Sequence, residues 1–325
     1  MTKRKISNTD IEISPFIFGG NVFGWTADEA TSFRLLDEFV ANGFETIDTA
    51  NSYSSWVPGN EGGESETIIG KWMKNTGKRN ELILITKVGW DITPERKGLD
   101  KKSIMEEVEG SLKRLQTDHI DIYLSHKDDP ATPVEETLEA YDQLIKQGKV
   151  RQIGSSNLPV DRLAESIETS QEKKLYEYKL IQPKYNLYDR LFEESEAKVA
   201  EDYSLGVISY SSLASGFLSG KYKTENDFKQ SVRGYGMKNY LNEKGFALLN
   251  ALEKLSLKHD AAYSTLALAW LLHKPVITAP IASATSSEQL KELMASVSVK
   301  LDKEDMALLD AAGSLKSDSK SLITS

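Results

Sequence analysis

The chain contains no cysteine among its 325 residues, so disulfides, thiolate nucleophiles, iron–sulfur clusters and cysteine-ligated zinc are excluded whatever the compartment. Histidine is scarce, at four, and no H-E-x-x-H or H-x-H pairing occurs, so no metal is expected. No run of about 18 apolar residues exists, and MTKRKISNTD at the amino terminus is not followed by the apolar stretch of about seven that an export signal needs. The expectation is a cytoplasmic protein with no membrane partner. Positive charge is in deficit, with 40 Lys and Arg against 49 Asp and Glu, a formal net charge of −9. No basic run exceeds Lys3-Arg4-Lys5, so the charge footprint of a nucleic-acid binder is missing. What remains is a globular composition, 39% hydrophobic and 27% charged, long enough for one large domain or two ordinary ones.

Short β-rich runs alternate with helical stretches. Lys3–Ser7 and Ile11–Ser14 flank the polar turn Ser7-Asn8-Thr9-Asp10 and predict a small hairpin. After it come eight strand candidates, Phe16–Phe18, Glu45–Ile47, Leu82–Thr86, Ile120–Ser125, Val150–Gly154, Lys179–Ile181, Val207–Tyr210 and Val276–Ala279. Between them, Thr132-Pro133-Val134-Glu135 and Ser103-Ile104-Met105-Glu106 read as capping boxes that open helices. Leu138, Tyr141 and Ile145 make an apolar stripe, as do Ala30, Phe33, Leu36 and Val40 before a stop at Gly43. Eight strands separated by helices predict a (β/α)₈ TIM barrel of the α/β class, preceded by the hairpin and carrying long loops at its C-terminal face. The competing doubly wound sheet needs G-x-G-x-x-G after its first strand, and Phe18-Gly19-Gly20-Asn21-Val22-Phe23-Gly24 lacks that spacing. The barrel is read as a single domain over 1–314, Ser212–Asn242 as its functional loop, and 315–325 as a flexible tail.

Barrel enzymes build their sites at the carboxyl ends of the strands. Here those ends carry Asp48 and then Tyr53, Lys87, His126, Ser155-Ser156-Asn157, Gln182 and Tyr210-Ser211. A tyrosine beside an ammonium suits proton transfer to a carbonyl oxygen, because the cation favours a phenolate that is otherwise reached only near pH ~10. Asp48 would hold Lys87, Lys87 would stabilise the phenolate of Tyr53, and His126 would orient or polarise the substrate oxygen. Trp25, Trp56 and Trp90 follow the first three strands and read either as walls of a substrate pocket or as packing of the barrel loops. Gly216–Tyr222 is one residue short of a phosphate loop and ends in Tyr, so that motif is rejected. The H-x-D-D cluster of His126 with Asp128 and Asp129 has no further metal-ligand partner in sequence.

Seven ordered motifs carry a resemblance: IDTANSY (47–53), LITKVG (84–89), LSHKDDP (124–130), IGSSN (153–157), IQPKYN (181–186), SYSSLASGFLSGKY (209–222) and PIASATSSEQL (280–290). Through them the chain resembles the aldo-keto reductase superfamily from about Phe16 to about Leu309. The resemblance implies a barrel that binds NADP(H) without a Rossmann motif and reduces small-molecule aldehydes or ketones by hydride transfer. By the match Asp48, Tyr53, Lys87 and His126 form the catalytic tetrad, with Tyr53 the proton donor, and His126, Trp25, Trp56 and Trp90 face the substrate. Ser156, Asn157 and Gln182 would bond the nicotinamide carboxamide, and Tyr210 would stack on its ring. Gly20, Asn21, Val22 and Asp48 would lie beside the cofactor, and Ser211, Ser212, Leu213, Ala214, Gly216 and Leu218 along the pyrophosphate. Lys221 and Arg233 would add positive charge.

Around the adenosine phosphate many members of the superfamily have a Gly, then an Arg, then Gln-x-x-Glu-Asn; the corresponding positions here are Ser283, Thr285, Gln289, Glu292 and Leu293. The Arg and Asn are missing, yet the hydroxyls of Ser283 and Thr285 with Lys221 or Arg233 still offer a phosphate its hydrogen bonds, which places NADP(H) ahead of NAD(H). Some barrels resembling this superfamily serve as accessory proteins of channels, so a cofactor-binding regulatory subunit is the alternative reading. A barrel glycosidase is disfavoured, because the ends of the fourth and seventh strands offer His126 and Tyr210 rather than paired carboxylates. The oligomeric state is left open by the sequence.

Overall fold

The computed structural model describes residues 2–315 apart from Arg233 and the side chain of Tyr235. Arg233 and, but for Leu315, the tail expected over 315–325 lie outside the described residues. Two short antiparallel strands, β1 (Arg4–Lys5) and β2 (Glu12–Ile13), form the expected hairpin. Eight parallel strands then close into a barrel: β3 (Ile17–Gly19), β4 (Thr46–Asp48), β5 (Ile83–Val88), β6 (Ile120–Ser125), β7 (Val150–Ser156), β8 (Leu180–Gln182), β9 (Gly206–Ser209) and β10 (Ala279–Ala282). Closure is made by β10, which pairs Ile281 with Ile17 on one side and Ala279 with Ile208 on the other. The fold is thus the expected TIM barrel. Ten α-helices surround these strands among the described residues, and none is long and apolar enough to cross a membrane.

Successive side chains of a strand point to opposite faces, so each barrel strand has an inner and an outer set. The inner set is aliphatic: Ile17, Ile85, Ile122, Leu124, Leu180, Ile208, Ala279 and Ile281 pack together, and Ile6, Ile11 and Ile13 of the hairpin join the same cluster. The hairpin therefore seals the barrel's interior layer. The outer set, with Phe18, Ile47, Leu84 and Val207, meets the helices in a second and larger core. A truncation such as Ile85→Ala in the inner layer, where the side chain is fully buried, is of the kind that costs about 2–5 kcal/mol.

Several local expectations shift. The helix α3 (Lys101–Leu115) is capped by Asp100, whose carboxylate accepts from both the backbone N–H and the hydroxyl of Ser103, at 3.0 and 2.6 Å. Ser103 is thus a first-turn residue, because a carboxylate three positions earlier is the stronger acceptor. Thr132 does not cap α4 (Val134–Lys146) either: its hydroxyl donates to Asp129 at 2.7 Å and Pro133 takes the cap position. In α1 (Glu29–Ala41) the buried stripe is Leu35, Leu36 and Phe39, with Ala30 exposed. The last strand begins at Ala279 rather than Val276 and carries Pro280 within it, paired with Ser209. The functional loop after β9 is not featureless; it winds through 3₁₀ turns at Ala214–Ser219, Glu225–Gln230 and Gly234–Tyr240.

Candidate active site

The two-residue period that fills the barrel with aliphatic side chains also delivers its chemistry. Two positions beyond interior Ile85 stands Lys87, beyond Leu124 stands His126, beyond Leu180 stands Gln182 and beyond Ile208 stands Tyr210. Asp48 ends β4, directly across from Gly19 of β3 and Ile85 of β5. The polar groups thus form one layer above the apolar one, at the carboxyl ends of the strands.

Within that layer Lys87 is fully buried and Asp48 is nearly so, at 1% exposure. The Lys87 ammonium has three protons to place, and three acceptors take them: Asp48 Oδ2 at 2.7 Å, the Thr49 carbonyl at 2.7 Å and the Tyr53 hydroxyl oxygen at 2.9 Å. Tyr53 O–H in turn donates to Asp48 Oδ2 at 3.1 Å, and Gln182 Nε2 donates to Asp48 Oδ1 at 2.8 Å. Each carboxylate oxygen of Asp48 is therefore satisfied, as a buried charge requires. Burial pulls the Lys87 ammonium below the ordinary lysine range, against the attraction and hydrogen bond of Asp48 and a weaker attraction from Glu66. The structure thus brings Asp48, Tyr53 and Lys87 together in one hydrogen-bonded group. Next to them, Thr86 donates to Glu66 at 2.5 Å and Arg114 pairs with the same carboxylate at 2.7 Å, an ion pair that the sequence pattern did not reveal.

The His126 ring packs edge to face against Tyr53, with centroids 5.9 Å apart. Its backbone is fixed by N–H donation to Val88 at 2.7 Å and by Asn157 Nδ2 donating to its carbonyl at 2.9 Å. Burial, reinforced by the charges of Lys87 and Lys127, pushes the imidazole well below its usual pKa. Trp90 packs on the ring at 4.9 Å. Trp25 and Trp56 meet edge to face at 5.4 Å, and Trp56 also meets the Tyr53 ring at 6.3 Å. Asp128 and Asp129 turn elsewhere, to Arg162 at 3.1 Å and to the Leu99 backbone N–H at 2.8 Å.

A cleft of about 1250 Å³ opens above Asp48 and Tyr53. Of the positions expected near a cofactor, Asn21, Val22, Tyr210, Ser211, Ser212, Leu213, Gly216, Lys221, Ser283, Thr285 and Gln289 line it, as do Trp25 and Trp56. Positive φ angles recur on one wall, at Ser211, Ala214, Ser215 and Gly216, and such backbone outliers collect at functional sites. Ser156, Asn157 and Gln182 stand beside the cleft and are tied into it, since Tyr210 O–H donates to Asn157 Oδ1 at 2.8 Å and Ser156 Oγ donates to the Gln182 carbonyl at 2.8 Å. Gly20, Ala214 and Leu218 are buried behind its surface. Glu292 points away, accepting from Ser264 at 2.8 Å. Lys184, Tyr188 and Asp189, to which the sequence reading assigned no role although Lys184 falls within IQPKYN (181–186), line the cleft from the segment after β8. Ser52 was also missed, and its hydroxyl lies 3.3 Å from His126 Nδ1.

Residues 15–314 match the sequence profile described as the aldo/keto reductase family. Curated relatives include an uncharacterized oxidoreductase, YrpG, of Bacillus subtilis strain 168, which is 36% identical over 312 residues and 94% of both chains. The aldo-keto reductase YhdN of the same organism is 34% identical over 321 residues, 94% of this chain and 91% of that one. A probable voltage-gated potassium channel subunit beta of Oryza sativa subsp. japonica is 30% identical over 310 residues, 92% of each chain.

Proposed function

Because the chain belongs to the aldo/keto reductase family and is an oxidoreductase of that family, we propose that it reduces an aldehyde or ketone to the alcohol with NADP(H), Tyr53 acting as proton donor. The observation that carries this reading is the 2.9 Å contact of the buried Lys87 ammonium with the Tyr53 hydroxyl oxygen. The cleft fits the cofactor by its chemistry: an aromatic ring at Tyr210, amide and hydroxyl groups at Asn157 and Ser156, a turn-rich wall at Ser211–Gly216, and Lys221 farther along. When bound, the reduced nicotinamide supplies the hydride to the carbonyl carbon.

Everything else falls to the chain's own groups. The substrate oxygen takes the place of Asp48 Oδ2 as acceptor of the Tyr53 proton. Lys87 then stabilises the phenolate left behind, in a setting where burial strengthens the interaction. Asp48 holds Lys87 in register and Gln182 holds Asp48. His126, beside the Tyr53 ring, meets the same substrate oxygen, and Trp25, Trp56 and Trp90 wall the approach. For the cofactor's adenosine end, Lys221 makes no ion pair among the described residues and lines the cleft with Ser283 and Thr285; this supports NADP(H) over NAD(H). A cytoplasmic location, expected from the sequence, goes with this reading.

A second reading, a cofactor-binding accessory subunit, is favoured by the 30% identity to a protein named as a channel subunit beta. Parallel assays with NADPH and NADH over a panel of aldehydes and ketones, followed at the absorbance of the reduced nicotinamide, separate the two. Steady consumption supports the reductase. Tight cofactor binding with no turnover across the panel supports the subunit.

A further inference from the structure

The turn after β4 delivers two consecutive side chains to different partners. Tyr53 reaches Lys87 and Asp48, whereas Ser52, only 2% exposed, places its hydroxyl 3.3 Å from His126 Nδ1. The turn itself is pinned: Tyr53 N–H donates to the Ala50 carbonyl at 3.2 Å, Ser55 N–H to the Ser52 carbonyl at 3.1 Å, and Ser54 Oγ to the Phe23 carbonyl at 2.8 Å. Ser52 therefore holds a fixed position against the imidazole.

A neutral imidazole carries one proton, and the partner of one ring nitrogen decides where it sits. Among the described residues no carboxylate contacts the His126 ring; the side chains that face it are Tyr53, Trp90 and the cations Lys87 and Lys127. Nδ1 is also the one hydrogen-bond partner of the Ser52 hydroxyl among the described residues. A buried hydroxyl proton needs an acceptor, and among the described residues the Nδ1 lone pair is the one in reach. If Nδ1 instead carried the ring proton, it would donate to Ser52 Oγ and leave the hydroxyl proton stranded. We propose that Ser52 is a positioning residue that fixes His126 as its Nε2–H tautomer, so that the nitrogen left for a substrate oxygen is a donor. In the opposite tautomer Nε2 would present a lone pair to that oxygen and repel it.

The kinetic consequence rests on the carbonyl-reductase reading, but the tautomer does not. The decisive experiment is a long-range ¹⁵N–¹H spectrum of the full-length protein labelled in its histidine rings, recorded near pH 8, where an ordinary imidazole of pKa ~6.5 is neutral. With four histidines the spectrum is sparse, and loss of one signal set in His126→Gln identifies the ring. His273 is an internal standard of opposite sense: its Nδ1 faces the Ala269 carbonyl at 2.7 Å, and its Nε2 accepts from Leu301 N–H at 3.2 Å. Wild-type His126 is expected as Nε2–H, and Ser52→Ala is expected to mix the tautomers or reverse them. Ser52→Thr, which keeps the hydroxyl, restores the wild-type pattern. An Nδ1–H ring in the wild type, or an unchanged Nε2–H ring in Ser52→Ala, overturns the proposal; should the alanine variant not fold, the wild-type spectrum decides. In turnover, Ser52→Ala is expected to lower kcat/KM for the carbonyl about 10-fold with the KM for NADPH unchanged, and Ser52→Thr to recover most of it. An Nε2–H ring in a protein that turns over no carbonyl would defeat the reductase reading and leave the tautomer assignment standing.

Discussion

Lys87 Nζ and Tyr53 Oη lie 2.9 Å apart, with the ammonium also 4.7 Å from the centre of the Tyr53 ring. The cation thus touches both the oxygen that would lose a proton and the ring that would share the resulting charge. Because Lys87 is fully buried, little water competes for either contact.

Tyr53→Phe removes that oxygen and little else. The expected outcome is a fall in kcat of about 10²-fold or more with cofactor affinity nearly unchanged, since an acid acting in the transition state is lost. Steady-state kinetics and a cofactor titration check it. A variant with near-native turnover would contradict the role.

Lys87→Met should damage turnover comparably, and the double variant with Tyr53→Phe should be scarcely worse than either alone, because groups acting as one unit are not additive. The Lys87 change carries a second signature. Among the described residues it leaves Asp48 as a buried carboxylate held by Tyr53 and Gln182, and breaking such a pair costs about 3–5 kcal/mol. Denaturant unfolding should therefore separate Lys87→Met from the more stable Tyr53→Phe. Multiplying kinetic losses in the double variant would mean that the two side chains act independently.

The depressed pKa of His126 makes a stability prediction with a definite sign. Above about pH 6.5 the imidazole is neutral in both folded and unfolded chains. As the pH falls below that value, the unfolded chain binds a proton that the folded chain refuses, so stability is lost until the folded pKa is reached. His126→Gln cannot titrate, and its Tm should fall less than that of the wild type between about pH 7 and pH 5. Parallel Tm curves would show that burial does not hold this ring neutral.

Cofactor choice is expected to depend on salt. If Lys221 reads the 2′-phosphate, Lys221→Ala should weaken NADPH by about 10-fold, or about 1.4 kcal/mol, and leave NADH almost untouched. Added salt should narrow the wild-type preference by screening an exposed cation, whereas the hydroxyls of Ser283 and Thr285 would be little affected. Equal losses for both cofactors in the variant would remove the phosphate from the account.

How much of this was legible in the sequence follows from its periodicities. Lys87, His126, Gln182 and Tyr210 sit two positions beyond interior aliphatic residues of their strands, so locating the strands located them. Pro280 misled, because a residue without an N–H reads as the end of a strand although the closing strand of the barrel accommodates it. The caps misled for a related reason: Ser103 and Thr132 are good capping types, but Asp100 and Asp129 claim their hydroxyls. Ser52 and the Glu66–Arg114 pair were not legible at all, since each depends on a contact between distant segments, 74 and 48 residues apart in sequence. The cleft-lining Lys184, Tyr188 and Asp189 belong to an irregular segment with no period to read.

One measurement follows the hydride and the Tyr53 proton donor together. NADPH carrying deuterium at the transferable position of nicotinamide carbon 4 is incubated with an aldehyde and either the wild type or Tyr53→Phe, and the alcohol is analysed by mass spectrometry. Deuterium is expected on the carbinol carbon with the wild type, and product formation about 10²-fold slower or worse with the variant. Unlabelled alcohol, or labelled alcohol formed equally fast by both proteins, would contradict it.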